Sequence, residues 1–179
     1  NKRSIKLINT SRFTDQKDHL TLLKDFKKIQ KKINIELLLI GYGVNKNNII
    51  NFINKNKLKK KIKVLNFQKN PYKFINESDI FVLTSRFEGL PNVLLESLTL
   101  KKLIISTDCP TGPREILANG RYGFLFKTQD YKKLSELIIK CSKSKNNYQN
   151  KRLLGYKSLN RFDEKKKKKK YLNEILKIL

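Results

Sequence analysis

The 179-residue chain contains no methionine, no tryptophan, one histidine, two cysteines and four prolines. Each scarcity narrows the reading. A single histidine, His19, excludes a site built from several imidazoles within this chain. Cys109 and Cys141 stand far apart in unlike contexts. They match neither the paired spacing of a metal site nor a disulfide framework, and a reducing cytosol suits them. No run of about twenty apolar residues occurs, so no transmembrane helix is expected. The opening NKRSIKLINT has no apolar signal region, and with the missing methionine it suggests a piece cut from a longer protein. Acidic residues are scarce too: 15 Asp and Glu against 41 Lys and Arg leave a net charge of +26.

Such a charge raises nucleic acid as a partner. The positive residues are nearly all Lys, however, and Asn and Ile are abundant beside them. All three have A/T-rich codons, so genome composition accounts for the profile without a ligand. Nucleic-acid readers favour Arg forks and exposed aromatics. Nucleic acid is therefore an unfavoured partner, and peripheral contact with an anionic membrane face is the better match.

What is present is an alternation. Hydrophobic residues make up 39% of the chain, enough for a core. Apolar runs at 4–9, 35–41, 62–67, 79–85, 102–107 and 123–126 read as strands. Amphipathic stretches at 18–32, 47–56, 71–78, 91–100, 112–119 and 131–142 read as helices, the first with Leu20, Leu23, Phe26 and Ile29 on one face. About six apolar strands joined by helices predict an α/β fold, a Rossmann-like parallel sheet with helices on both faces. From about residue 147 to 179 there is no strand signal, and the tail reads as two helices. The second carries the lysine run 165–170, a solvated surface. With no internal repeat and no dividing linker, 1–179 reads as one domain.

In such a sheet, ligands bind beyond the carboxyl ends of the strands. The loop SRFEGLPN and the helix after it place Glu88 and Glu96 on either side of a helix start. Gly89 permits a tight backbone and Pro91 suits a first helical turn. The amides of Gly89, Leu90, Asn92 and Val93 would face a phosphate. A carboxylate accepts two hydrogen bonds from a diol, so the two glutamates fit two polyols flanking a phosphate, the outline of a nucleotide sugar. On these residues alone a plainer reading stays open, with Glu88 exposed and Glu96 complementing the helix dipole. Arg12 and Lys17, between the first strand and first helix, make a fork and a point charge suited to a diphosphate. His19 reads as a capping or packing residue.

The stretch NPYKFINESDIFVLTSRFEGLPNVLLESL, with IISTDCPTGPREILANGRYGFLF after it, resembles the C-terminal domain of the family 4 retaining glycosyltransferases. These have the GT-B fold, two Rossmann-like domains facing a cleft. The spacing of Glu88 and Glu96 matches the family signature, and SRFTDQKDH resembles its diphosphate loop. The similarity runs from about residue 5 to 142, and FDEKKKKKKYLNEIL is similar to the family's terminal helix with Lys at some apolar positions. GYGVNK does not fit a dinucleotide motif.

The resemblance implies roles. Glu88 would position the transferred sugar by its hydroxyls, with amides around Gly89, Leu90 and Asn92 helping, and Pro91 and Val93 would belong to the same donor-binding stretch. Glu96 would hold the ribose, and Arg12 and Lys17 the departing diphosphate. Phe67, Gln68 and Asn70 would lie near the base. Thr111 and Gly112 would wall the site, while Glu115 has helix capping as its alternative and Cys109 is a small loop residue. Ser11 and Asn66 stand where the family has glycines, Asn tolerating left-handed backbone. Lys101 and Leu103 replace a Gly and a Pro away from the site. The implied donor is a nucleotide sugar, UDP-linked, and the acceptor a surface glycan or lipid-linked glycan. No metal and no cofactor is expected. An N-terminal acceptor domain would be missing from this chain, so that the chain alone binds donor weakly and transfers nothing. The implied location is cytoplasmic, peripheral on the inner membrane face. Two alternatives are a basic nucleic-acid-binding module and a nucleotide-sugar epimerase of GT-B fold.

Overall fold

The computed structural model of the chain describes residues 3–143 and 145–163. Six strands are present: β1 (Ile5–Thr10), β2 (Ile35–Ile40), β3 (Ile62–Leu65), β4 (Ile80–Leu83), β5 (Leu103–Thr107) and β6 (Phe124–Phe126). All pair in parallel, in the order β3-β2-β1-β4-β5-β6. The helices are α1 (His19–Ile29), α2 (Lys46–Lys55), α3 (Tyr72–Glu77), α4 (Asn92–Thr99), α5 (Pro113–Ile116), α6 (Tyr131–Lys143) and α7 (Gln149–Lys157).

Alternation along the strands divides the core in two. Ile5, Leu7, Leu37, Leu39, Ile80, Val82 and Ile105 face the cluster that α1, α2 and α6 cover with Leu22, Phe26, Ile49, Leu134 and Ile138. Ile8, Ile40, Phe81, Leu83 and Ile104 face the other cluster, filled by Ile75 of α3, Leu94 and Leu98 of α4, and Ile116 of α5. The central strands are apolar on both sides, as a sheet sandwiched between helices requires.

Several elements stop earlier than their sequence pattern. β3 ends at Leu65 rather than 67, and β4 at Leu83 rather than 85. Just past β4, hydroxyls bond the backbone of neighbouring segments. Thr84 Oγ1 donates to the Lys17 carbonyl at 2.9 Å, and Thr107 Oγ1 donates to the Ser85 carbonyl at 2.7 Å. Pro91 lies outside α4, in the cap position with extended backbone (φ −72°, ψ 96°), not in its first turn.

Beyond α6 the chain returns to the α4–α5 side. Gly155 of α7 lies against Leu98 and Tyr122, where a Cβ would press on the Leu98 methyl. Lys151 Nζ donates to the carbonyls of Gly120 (2.6 Å) and Arg121 (2.9 Å), and the Arg161 guanidinium donates to the Ile116 carbonyl at 3.0 Å. These donors satisfy the last carbonyl of α5 and two carbonyls of the turn that follows it. The second tail helix and the lysine run 165–170 lie outside the described residues. Among the described residues no helix is long and apolar enough to cross a membrane.

Candidate functional site

β1 and β4 are neighbours in the sheet, yet the chain leaves them for helices on opposite faces. Their exit loops therefore diverge and open a crevice, the place where open α/β sheets bind ligands. The two loops are laced together. Arg86 N–H donates to the Gln16 carbonyl at 2.8 Å, and Gln16 Nε2 donates to the Phe87 carbonyl at 2.9 Å. Asp18 caps α1 through Thr21 N–H (3.3 Å) and Thr21 Oγ1 (2.8 Å) while its Oδ2 meets Arg86 Nε at 3.5 Å.

Within this frame Lys17 Nζ donates to Glu88 Oε1 at 2.6 Å, and Ser85 Oγ donates to the same oxygen at 2.5 Å. The pair is shielded, with side-chain exposures of 15% and 6%. Charges so placed are stable only together, since removing one strands the other. Thr111 Oγ1 donates to the Glu88 carbonyl. Thr111 (φ 62°) and Gly112 (φ 74°) both occupy left-handed backbone, and a Cβ at Gly112 would fall on the Gly89 carbonyl and on Pro91. The tight geometry expected at Gly89 is thus at Gly112; around Gly89 there is nothing within 4 Å of an added Cβ.

At the start of α4, the N–H groups of Gly89, Leu90, Asn92 and Val93 have no acceptor among the described residues; the first engaged amide is Leu94, on the Pro91 carbonyl at 2.9 Å. A turn further on, Glu96 lines a cavity of about 290 Å³ with Arg12, Tyr42, Phe67, Gln68, Pro71 and Val93. Burial pushes the Glu96 carboxyl above its usual pKa. No donor among the described residues serves that carboxylate.

Most of the expected residues therefore converge. Arg12, Phe67, Gln68, Val93 and Glu96 share the cavity. Lys17, Glu88, Gly89, Leu90, Pro91 and Asn92 form its neighbouring loops, with Thr111 and Gly112 behind them. Asn70 is not among the cavity's lining residues; exposed, its Oδ1 accepts from Tyr72 N–H at 3.1 Å, an Asx turn just before α3. Asn66 does not use left-handed backbone; its side chain accepts from Lys46 Nζ at 2.5 Å. Glu115 is exposed, and α5 has no side-chain cap. Cys109 is buried, which raises its thiol pKa and keeps it protonated. Among the described residues no three His, Cys, Asp or Glu side chains are grouped to hold a metal ion.

Two supports were not legible as site residues. Ser11 Oγ donates to Asn9 Oδ1 at 2.7 Å, and His19 Nε2 lies 3.0 Å from Ser11 Oγ and 3.2 Å from Asn9 Oδ1. Asn9 Nδ2 donates to the Val82 carbonyl at 2.8 Å, tying β1 to β4. Burial pulls the His19 pKa down to about 4, so it is neutral and its edge packs on Phe13 at 5.0 Å between centroids. It packs, as its sequence position suggests, and also braces the loop carrying Arg12. Tyr42 is the second. Its signal was an aromatic residue between two glycines at a strand end, Gly41-Tyr42-Gly43.

The family model "Glycosyl transferases group 1" matches residues 1–169. This chain belongs to that family. An uncharacterized glycosyltransferase of Methanocaldococcus jannaschii is 41% identical over 140 residues, 70% of this chain and 34% of the relative. The N-acetylgalactosamine-N,N'-diacetylbacillosaminyl-diphospho-undecaprenol 4-alpha-N-acetylgalactosaminyltransferase of Campylobacter jejuni is 30% identical over 69% of this chain and 33% of its own. The group 1 chain thus spans about a third of the length of these curated relatives. A variant of S. aureus TarM, solved with fondaparinux, alpha-GlcNAc-glycerol and UDP, superposes with a TM-score of 0.87 at 17% identity, over 97% of this chain and 36% of that one. The fold of this group 1 domain is that of the C-terminal half of a GT-B glycosyltransferase.

Proposed function

We propose that this chain is the donor-binding half of a family 4 retaining glycosyltransferase, moving a hexose or N-acetylhexosamine from a UDP-sugar to a surface glycan or lipid-linked acceptor. The observation that carries the reading is the bracket around the start of α4: Glu88 and Glu96 on either side of four unengaged amides, with Arg12 in the cavity and Lys17 on Glu88. Support comes also from the relatives' names, one of them a transferase acting on a diphospho-undecaprenol-linked sugar, and from the UDP held by TarM.

In this reading the ribose hydroxyls donate to Glu96. The diphosphate sits on the amides of Asn92 and Val93, where helix dipole and free N–H groups favour an anion. Glycosyl transfer runs through an oxocarbenium-like transition state, with negative charge growing on the leaving group. Arg12 and Lys17 meet that charge, each such group being worth up to roughly 3–4 kcal/mol in comparable preorganised sites. Lys17 then exchanges some of its hold on Glu88 for phosphate, freeing Glu88 to orient the sugar. Glu88 acts as a positioner while the acceptor attacks from the leaving-group face. The acceptor-binding domain lies outside this chain, no metal is required, and the basic surface (net charge +26) holds the enzyme at the cytoplasmic membrane face.

Calorimetric titration of UDP, GDP and ADP into the chain at moderate salt tests this. Selective UDP binding that Glu96→Ala abolishes is expected. Equal binding of all three, indifferent to the substitution and removed by salt, would overturn it in favour of charge alone.

A further inference from the structure

Tyr42 and Phe67 are large apolar side chains that the core does not use. They are 56% and 64% exposed, and their rings meet edge to face, 5.9 Å between centroids at 88°. Tyr42 comes from the loop after β2, Phe67 from the loop after β3. Both line the cavity that holds Arg12, Gln68 and Glu96.

The backbone at Tyr42 is fixed more firmly than an exposed loop needs. Phe13 N–H donates to the Tyr42 carbonyl at 2.6 Å, and Asn45 N–H donates to the Phe13 carbonyl at 2.9 Å. A Cβ at Gly41 would fall on the Ser11 carbonyl, and one at Gly43 (φ 142°) on the Phe13 carbonyl. Only glycine permits so close an approach. The two glycines thus clamp Tyr42 against the loop that carries Arg12. An exposed ring on a pinned backbone loses little freedom when a flat ligand stacks on it.

We infer that Tyr42 is a nucleobase-binding residue, forming with Phe67 a right-angled aromatic corner on which the base of the donor stacks. The inference rests on the donor-binding reading and adds a residue to it. Perpendicular rings suit a planar ligand, one offering a face and the other an edge. The cavity's volume, about 290 Å³, lies at the small end of ligand pockets. It suits a nucleoside, leaving the diphosphate outside on the α4 amides. Gln68, whose Nε2 donates to the Asn66 carbonyl at 3.1 Å, keeps its side-chain oxygen and second N–H for the base edge. Stacking accepts any base, so base choice falls to Gln68 and its surroundings, while Tyr42 supplies affinity.

The test compares UDP with ribose 5-phosphate and inorganic pyrophosphate, by calorimetry on the 179-residue chain. Tyr42→Ala is expected to weaken UDP roughly ten- to a hundredfold, the usual range for loss of one base–aromatic stack. Tyr42→Phe, which keeps the ring, should bind as the parent does. Pyrophosphate and ribose 5-phosphate should bind all three proteins alike. A measurement needing no variant is the ring-current shift of the uracil protons of UDP bound to the parent, expected upfield. UDP binding that depends on Glu96 yet ignores Tyr42→Ala, with no upfield shift, would overturn this inference and leave the donor reading standing. Absence of UDP binding by the parent chain would overturn both.

Discussion

Single residues in this fold carry separable burdens. Asp25 of α1 is fully buried; its Oδ1 accepts from Ser135 Oγ of α6, while its Oδ2 has no partner. Burial raises its pKa from 3.8 to about 7. The unfolded chain releases this proton at lower pH than the folded one, so the associated stability is complete below about pH 4 and is lost as pH rises towards 7. Asp25→Asn is therefore expected to melt above the parent at pH 8, with the gap closing near pH 4, in calorimetric scans across pH. At the site, Glu88→Ala leaves Lys17 shielded and unpaired. Loss of one partner from a buried pair costs about 3–5 kcal/mol, which chemical denaturation would register. Glu88→Gln, keeping an acceptor, should lose less.

Elements are where sequence and structure part company most usefully. The six strands and the helices between them were readable because short continuous apolar runs alternate with stretches of 3.6-residue apolar periodicity. Element ends were less readable, because they depend on distant partners. Nothing near residues 79–85 announces that β4 ends at Leu83 or that the Thr84 hydroxyl will bond the Lys17 carbonyl. That Glu88, Glu96, Arg12 and Lys17 would gather at one crevice was legible from loop position together with the family resemblance; on spacing alone the plainer reading of the glutamates stayed open. The glycines were not, since a glycine's reason lies in the backbone it touches. Gly89 looked constrained and is open, whereas Gly41, Gly43 and Gly112 abut carbonyls of other loops. This gives a paired expectation. Gly89→Ala should leave the melting temperature within about a degree or two. Gly41→Ala, meeting the Ser11 carbonyl, should destabilise by at least 1–3 kcal/mol, as overpacking does. Denaturant midpoints of the two variants compare them directly.

For the whole molecule, charge and completeness matter most. A net charge of +26 repels itself in the compact state. Added salt screens that repulsion, so the melting temperature should climb as sodium chloride is raised, and a flat response would show that the lysines are too dispersed to matter. As the chain spans about a third of its curated relatives' length, it should bind UDP-sugar weakly and transfer nothing to glycan acceptors. Product formation by this chain, followed by mass spectrometry, would contradict that.

The seam between β1 and β4 has a kinetic consequence. Those strands pair through only Leu7↔Ile80 and Ile8↔Phe81, residues 73 apart in the chain, whereas β1 and β2 pair along six positions about 30 apart. Loop-closure entropy delays the distant contact. The β1–β3 half can thus form before β4–β6 docks, and the crevice comes into being only with that late docking. A nucleotide held across it would find Arg12, Tyr42, Phe67 and Gln68 in the half-formed chain but neither Glu96 nor the α4 amides, so its full grip comes only with docking. Bound UDP should therefore slow unfolding and leave the refolding rate almost unchanged, since stabilisation made after the barrier appears in the unfolding limb. The crevice would then act as a clasp, closed last and opened first.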